Sequence, residues 1–415
     1  MKVDPKTIQV RREKTLRQEL GEDFGVKKAI QRIKDLRGGK GYGYRRSLLS
    51  SALRLTRSMS PEIADTLNQC KEVIGYNSPV ELYVTNEPVF NATCYREQGG
   101  PTVLTIASRL LEAFTPAELR FVIGHELGHA ALDHYALPMP ITATLEEMGI
   151  PFVPRATALK LYAWCRSAEL SADRIGLICA QDAEAAASGF FKLASGMSSA
   201  RVKPDLATFA KQVESLATAP EAREKIRDDD VYLDCFTTHP YSPVRVRACW
   251  AFSRTSEYLK SLGKPTDGAM SLDDVEKIID DDMALMEPTY LQEKGDKSDI
   301  LRRLLFTAGI AVANAYGGIE PTELEALTKL LGPDHQDAPK DAAKVVADLD
   351  ARIKDALEVP LVSRAQLVQH LTIVAAADGK VQDEELAIME KVAAGLGVDS
   401  YVIHQTIRGA MHPID

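Results

Sequence analysis

Apolar residues recur at helical spacing through much of this 415-residue chain. Leu119, Val122, Ile123, Leu127 and Ala130 would bury one face of a helix. Its start is marked by Thr115-Pro116-Ala117-Glu118, with Thr115 as N-cap, Pro116 at the first helical position and Glu118 closing a capping box. Residues 157–180 keep the same periodicity without proline and with one glycine, Gly176, which predicts a second long helix. Near the start, Leu16, Leu20, Ala29, Ile33 and Leu36 predict amphipathic helices. Strand signals are few. Apolar and polar positions alternate over 80–84, and a hairpin is predicted from 93–96 through a Gly99-Gly100-Pro101 turn to 102–106. The longest apolar run, 304–315, falls short of the roughly 20 residues needed to cross a membrane and predicts a buried core helix.

Chemistry enters with His125-Glu126-Leu127-Gly128-His129, inside the first of these helices. Positions i and i+4 share a helix face, so both imidazoles can reach one Zn²⁺. Glu126 projects beside them, placed to take a proton from a metal-activated water. A catalytic zinc usually has three protein ligands and one open position. A metzincin-type extension would put glycine at 132 and histidine at 135, where this chain has Leu132 and Tyr135. His134, nine residues after His125, would lie about 180° round a continuing helix and reads as a solvated histidine near a helix end. Glu169 is the better third ligand, 44 residues after His125 on the second helix. Asp173, one turn on, would hold the other N–H of a ligand imidazole. Flanked by Arg166 and Arg174, such a pair alone would read as a solvated face, but beside the histidine motif the functional reading is preferred.

Together these residues resemble the M48 family of metallopeptidases, relatives of membrane-bound CAAX-processing and heat-shock proteases. Four blocks spanning about 80–250 carry the likeness: Phe90-Asn91-Ala92 before the hairpin, residues 116–131, residues 169–176, and Thr238-His239-Pro240 followed by Arg245. The resemblance implies that His125, His129 and Glu169 hold one Zn²⁺ per chain and that Glu126 is the general base. His239 and Arg245 match positions near the substrate carbonyl, where a donor or positive charge stabilises the oxyanion. A second role for His239 is to cap the metal in a latent state. Without the family pattern, Thr238-His239-Pro240 reads as a turn before a helix. In this class of fold an exposed sheet edge, entered here at Asn91 and Ala92, pairs with an extended protein or peptide substrate. The proline-studded stretch 136–155 reads equally as a lid or as a rigid connector.

Composition changes the picture in three ways. The net charge of −9 hides a basic N-terminal segment: residues 1–60 carry 16 Lys/Arg against 6 Asp/Glu, and the remainder 34 against 53. Such a segment offers a route to peripheral contact with anionic membrane. A basic face packed on an acidic body is preferred, and nucleic-acid binding is not expected. Gly38-Gly39-Lys40-Gly41-Tyr42-Gly43 is a flexible break without the Walker pattern. Six dispersed cysteines (70, 94, 165, 179, 235 and 249) lack any C-x-x-C and read as reduced core thiols. Of these, Cys94 lies on the hairpin near the substrate edge; a zinc-ligating thiolate is weighed there, and the core thiol is preferred. No signal peptide or transmembrane segment is legible, so a cytoplasmic location is expected and membrane-protein quality control is not.

The C-terminal third contains an internal echo. Residues 377–385 align with 315–323 at an offset of 62, each an apolar helix, a glycine turn and a Glu-led helix. Leu396-Gly397-Val398-Asp399 and Leu331-Gly332-Pro333-Asp334 close the two copies. This resembles the TerB-like (tellurite-resistance) helical domain, which implies a stress-linked sensor or docking module with a protein partner. Its acidic group, Asp378, Asp383, Glu384 and Glu385, does not have EF-hand spacing, and helix capping is the preferred reading. The expected fold is mainly α (α+β): a zincin-like peptidase domain with a small antiparallel sheet, then an all-α domain. Boundaries fall at 1–60, 61–260, 261–297 (a linker with one acidic helix) and 298–415. The expected function is a zinc-dependent endopeptidase regulated or targeted by its C-terminal domain. The competing reading is a non-catalytic zinc-containing scaffold or stress-sensing interaction protein.

Overall fold

Glycine, rather than a large apolar seam, sets the central contact of this molecule. The computed structural model describes residues 2–36, 42–96, 100–138, 155–198, 205–218, 237–283, 286, 295–316, 318–332, 339, 341–359, 361–377, 380–400, 402–404 and 406–407. The glycine break at 38–41, Gly99, the proline-rich stretch 139–154, Cys235, residues 287–294, Gly317, Pro333, Asp334, Asp378 and Gly379 lie outside these residues.

The order begins with α1 (Arg11–Glu22), α2 (Phe24–Leu36), α3 (Tyr42–Ser51), β1 (Leu53–Leu55) and α4 (Pro61–Ile74). Strands β2 (Val80–Thr85), β3 (Ala92–Arg96) and β4 (Thr102–Ala107) lead through the short α5 (Ser108–Ala113) into α6 (Pro116–Ala131). Next come α7 (Arg155–Ala180), α8 (Ala183–Ser195), α9 (Leu206–Thr218), α10 (Ser242–Phe252), α11 (Ser256–Ser261) and α12 (Leu272–Met283). A separate apolar core is built by α13 (Asp296–Ala313), α14 (Pro321–Leu331), α15 (Ala342–Ala347), α16 (Leu349–Ala356), α17 (Leu361–Ala375) and α18 (Asp383–Gly395).

The sheet has the order β1-β2-β4-β3 and is mixed rather than wholly antiparallel. The expected hairpin is there, with Cys94 opposite Leu104. The difference lies in β2, which pairs parallel to β4, Val80 opposite Thr102. Residues 86–91 carry the chain past the β4 position to the outer edge, so β4 returns into the gap and is buried along its whole length. β3 is left as an edge strand beside α6.

The capping box holds as expected: Glu118 N donates to Thr115 Oγ1, and Thr115 N to Glu118 Oε2 at 2.7 Å. Glu118 is also buried against Lys192 Nζ (2.6 Å) and Ser188 Oγ (2.5 Å) on α8. α6 and α7 then cross closely at glycines. A Cβ on Gly124 would stand 2.5 Å from Cys179 Cβ, and one on Gly176 would stand 2.7 Å from the Phe121 carbonyl. On Gly128 it would meet the Ala172 backbone at 3.1 Å. No larger residue permits this approach without moving a backbone.

The N-terminal segment packs on this pair, with Leu20 and Val26 buried against Leu161 and Trp164 of α7. The acidic helix expected in the linker is α12, and it is part of the first core: Val275, Ile279 and Met283 are buried there. Arg11 meets Asp273 of the same helix at 2.9 Å, both side chains more than half exposed. In the second core, both copies of the echo begin their second helix with a capping box, Glu320/Glu323 and Gln382/Glu385. α14 also touches the first body, where Lys329 lies 3.5 Å from Asp23.

Gly176→Ala is expected to cost about 1–3 kcal/mol through overpacking, read as a lower denaturation midpoint with unchanged slope. Glu118→Gln should cost about 1–3 kcal/mol near neutral pH. Burial alone would raise the Glu118 carboxyl, but Lys192 and Ser188 hold it below the ordinary range. Its contribution is therefore present above the ordinary carboxylate pKa and fades as pH falls through the lowered one, so the two proteins should converge in acid.

Candidate metal centre

The close crossing brings together two helix faces that each carry paired polar residues one turn apart. From α6 come His125 and His129, whose Nε2 atoms lie 3.1 Å apart. From α7 comes Glu169, with Oε2 3.5 Å from His125 Nε2 and Oε1 3.4 Å from His129 Nε2. These three form the one potential metal cluster among the described residues.

The donor set fits a cation. Asp173 Oδ1 lies 2.8 Å from His125 Nδ1, a charge contact that favours a proton there and leaves the Nε2 lone pair facing inward. Glu169 Oε2 is buried without a hydrogen bond. Burial pushes the Glu169 carboxyl up, yet His239 and Arg245, with the two imidazoles, hold it well below the usual range. Burial also drives the His129 imidazole well below its ordinary pKa, keeping it neutral. For His125 burial acts downward, but Asp173 and Glu169 carry it up to about 10. A cation would displace the second proton of His125, and two imidazoles and a carboxylate would then converge their lone pairs in a buried space, the ligand set of a catalytic His₂Glu zinc site.

Glu126 is 8% exposed and does not join the cluster. Burial raises its carboxyl to about 7, with the Cys94 amide and the charges of His125 and Arg245 acting downward. Cys94 is a buried thiol, pushed up to about 12 by burial and by the nearby Glu126, and it is not among the clustered ligands. Asn91 and Ala92 stand where β3 begins; Asn91 O accepts from Ala107 N at 2.9 Å, and Ala92 is opposite Ile106.

His239 and Arg245 both reach the cluster, in different ways. His239 is on the rim, its side chain 62% exposed and its Nε2 3.5 Å from Glu169 Oε1. Its loop is tied to α7 through Arg166, which donates to Thr237 O at 2.9 Å. Arg245 was expected at the substrate carbonyl. Its Nε and Nη2 instead grip Asp173 at 2.9 and 2.7 Å, and Nη2 also lies 3.2 Å from Glu169. Its guanidinium stacks on the Phe190 ring, 4.9 Å from the centroid. Arg245 therefore holds the acidic pair. Arg166 and Arg174, which an exposed-face reading would leave in solvent, are buried at 1% and 2%.

His134 is not the solvated helix-end histidine that helical spacing predicts. It is 3% exposed, with Nδ1 2.8 Å from His129 Nδ1 and Nε2 3.1 Å from Glu13 Oε1. The 180° argument assumed a continuing helix. α6 ends at Ala131, and Asp133 takes a left-handed conformation (φ 53°), which turns His134 back beneath His129. Glu13 was missed altogether. Burial would raise its carboxyl, but bonds from His134, Ser171 and Gln9 hold it lowered. Nothing in α1, a polar helix far from the motif, marks Glu13 out. A turn-permissive Asp just past a predicted helix end was the one available signal for His134.

The model of Peptidase family M48 matches residues 58–251, and that of Tellurite resistance protein TerB matches residues 302–406. The chain thus carries an M48 peptidase domain followed by a TerB domain. It is similar to the Plastoglobule-localized metallopeptidase 48, chloroplastic, of Arabidopsis thaliana, 30% identical over 223 residues. That match covers 52% of this chain and 63% of the relative, less than two thirds of its length. No solved structure matches. Among the described residues, no helix is long and apolar enough to cross a membrane.

Elemental analysis should find about one zinc per chain. Asp173→Ala should weaken zinc binding by about 10–100-fold in a chelator competition, since the contact at His125 Nδ1 is lost.

Proposed function

We propose that this protein is a zinc-dependent endopeptidase acting on protein or peptide substrates. The observation that carries the reading is the convergence of His125, His129 and Glu169 in a buried space, beside an open sheet edge and a separate buried carboxyl, Glu126. His125, His129 and Glu169 would hold the Zn²⁺, which would supply Lewis acidity to the peptide carbonyl and a lowered pKa to water. Glu126, with its carboxyl raised towards neutrality, takes a proton from the attacking water and passes it to the leaving amine. His239, exposed at the rim, donates to the developing oxyanion. Arg245 acts one step back, fixing Asp173 and Glu169. The β3 edge from Asn91 and Ala92 pairs with substrate backbone, which accommodates many sequences.

The helical C-terminal domain is read as a regulatory or recruiting module, supported by the contact of α14 with the first body. For location we keep the cytoplasm; the Arabidopsis relative's name places that protein at plastoglobules, and fractionation of cells discriminates the two. The decisive experiment compares neo-N-termini in cells expressing wild-type and Glu126→Gln protein. The variant should retain zinc and lose about 10²–10⁴-fold in peptide cleavage. Equal neo-N-termini in both, with zinc bound, would instead favour a scaffold whose metal is structural.

A further inference from the structure

We propose that Glu13 and His134 are positioning residues of the metal centre, a two-residue relay through which helix α1 sets the tautomer of His129. The inference rests on the metal reading above. One of its two residues, Glu13, lies outside residues 58–251, the span of the M48 match.

The polarity of the relay follows from its end. Glu13 is 0% exposed, and its Oε1 accepts from Gln9 Nε2 at 2.7 Å. An ionised carboxylate has only lone pairs to offer, so His134 Nε2, 3.1 Å from the same oxygen, must carry the hydrogen. A neutral imidazole then has a bare Nδ1. That atom, 2.8 Å from His129 Nδ1, can only accept, which puts the His129 hydrogen on Nδ1. What remains on His129 is the Nε2 lone pair, aimed where His125 Nε2 and Glu169 Oε1 lie 3.1 and 3.4 Å away. With Glu13 ionised and His134 neutral, one hydrogen-bond pattern is left, and it is the one that presents a donor atom to a cation. A ligand imidazole whose far N–H is held in this way is also more basic and better oriented.

The rest of the segment keeps the relay still. Arg17 of α1 donates to the carbonyls of Leu132 and Asp133, clamping the turn that carries His134. Val10 N donates to Ser171 Oγ at 2.9 Å, and Arg174 donates to Ile8 O at 3.0 Å, fastening the same segment to α7. The His134 ring stands edge-on to Trp164, centroids 5.8 Å apart, and to His129 at 4.9 Å. Residues 8–17 therefore contact the turn after α6 and the helix that carries Glu169, at both sides of the cluster.

The test uses the full-length chain. Long-range ¹H–¹⁵N imidazole spectra of the zinc-loaded wild type should show His134 as the Nε2–H tautomer and His129 protonated at Nδ1. Zinc affinity, read by competition with a chromophoric chelator, should fall about 10–100-fold in Glu13→Ala and in His134→Phe. Glu13→Gln should stay within a few-fold of wild type, since its amide oxygen still accepts the His134 N–H. The two tautomers are the readout that a purely structural role would not fix. An Nδ1–H tautomer at His134, or folded Ala and Phe variants within about twofold of wild-type affinity, overturns the relay alone. If either variant does not fold, the wild-type tautomer decides. Wild-type protein that takes up no zinc overturns the metal reading, and the relay with it.

Discussion

Two helices cross here closer than side chains normally permit, and the chemistry depends on that approach. Gly124, Gly128 and Gly176 remove the Cβ atoms that would otherwise strike Cys179, Ala172 and Phe121. A conventional interface of Leu and Ile would hold the axes about 8–10 Å apart and push the carboxylates of α7 away from the imidazoles of α6. The glycines lower helix propensity by about 1 kcal/mol each relative to alanine. That cost is offset by tertiary burial around them, since Ile123, Leu127, Leu177 and Ile178 are fully enclosed.

Bringing so many ionisable groups together in a buried space creates its own constraint. Glu169, Asp173 and Glu13 are all buried carboxyls, and none is tolerable without an opposite charge or donor. Arg245 of α10 answers both Asp173 and Glu169, the imidazoles of α6 also face Glu169, and His134 and Gln9 answer Glu13. A similar logic repeats at Arg174, whose buried guanidinium meets Glu276 of α12 at 2.9 Å. The segments flanking the M48 match are thus part of the electrostatic balance of the centre. α1 and α12 each contribute a buried charge that a shorter domain would lack.

Local pattern served the reading well where function and secondary structure coincide. The capping box at Thr115 and Glu118, the histidine pair at i and i+4, and the Glu169/Asp173 pair are consequences of helical period, and helical period is written in the chain. The antiparallel hairpin was legible for the same reason, because it is closed by adjacent residues. The parallel pairing of β2 with β4 was not: it depends on which side of β4 the chain passes between 85 and 92, and no local preference encodes that choice. Likewise α12 looked like part of a polar linker because its acidic face dominates its composition. Its few apolar positions, Val275, Ile279 and Met283, turned out to be the ones that pack.

The sequence by itself determined which residues could be ligands, that they lie on helices, and which ligand pairs share a face, because these follow from 3.6 residues per turn and donor chemistry. It also determined the two-part organisation, through the echo of the C-terminal copies. Only the tertiary structure decided what stands behind the ligands. Arg245 faces two carboxylates because α10 packs across α7, and His134 reaches His129 because the chain reverses at Asp133. Glu13 enters a site more than a hundred residues away for the same kind of reason: long-range packing selects hydrogen-bond partners by proximity in space, which sequence separation does not record.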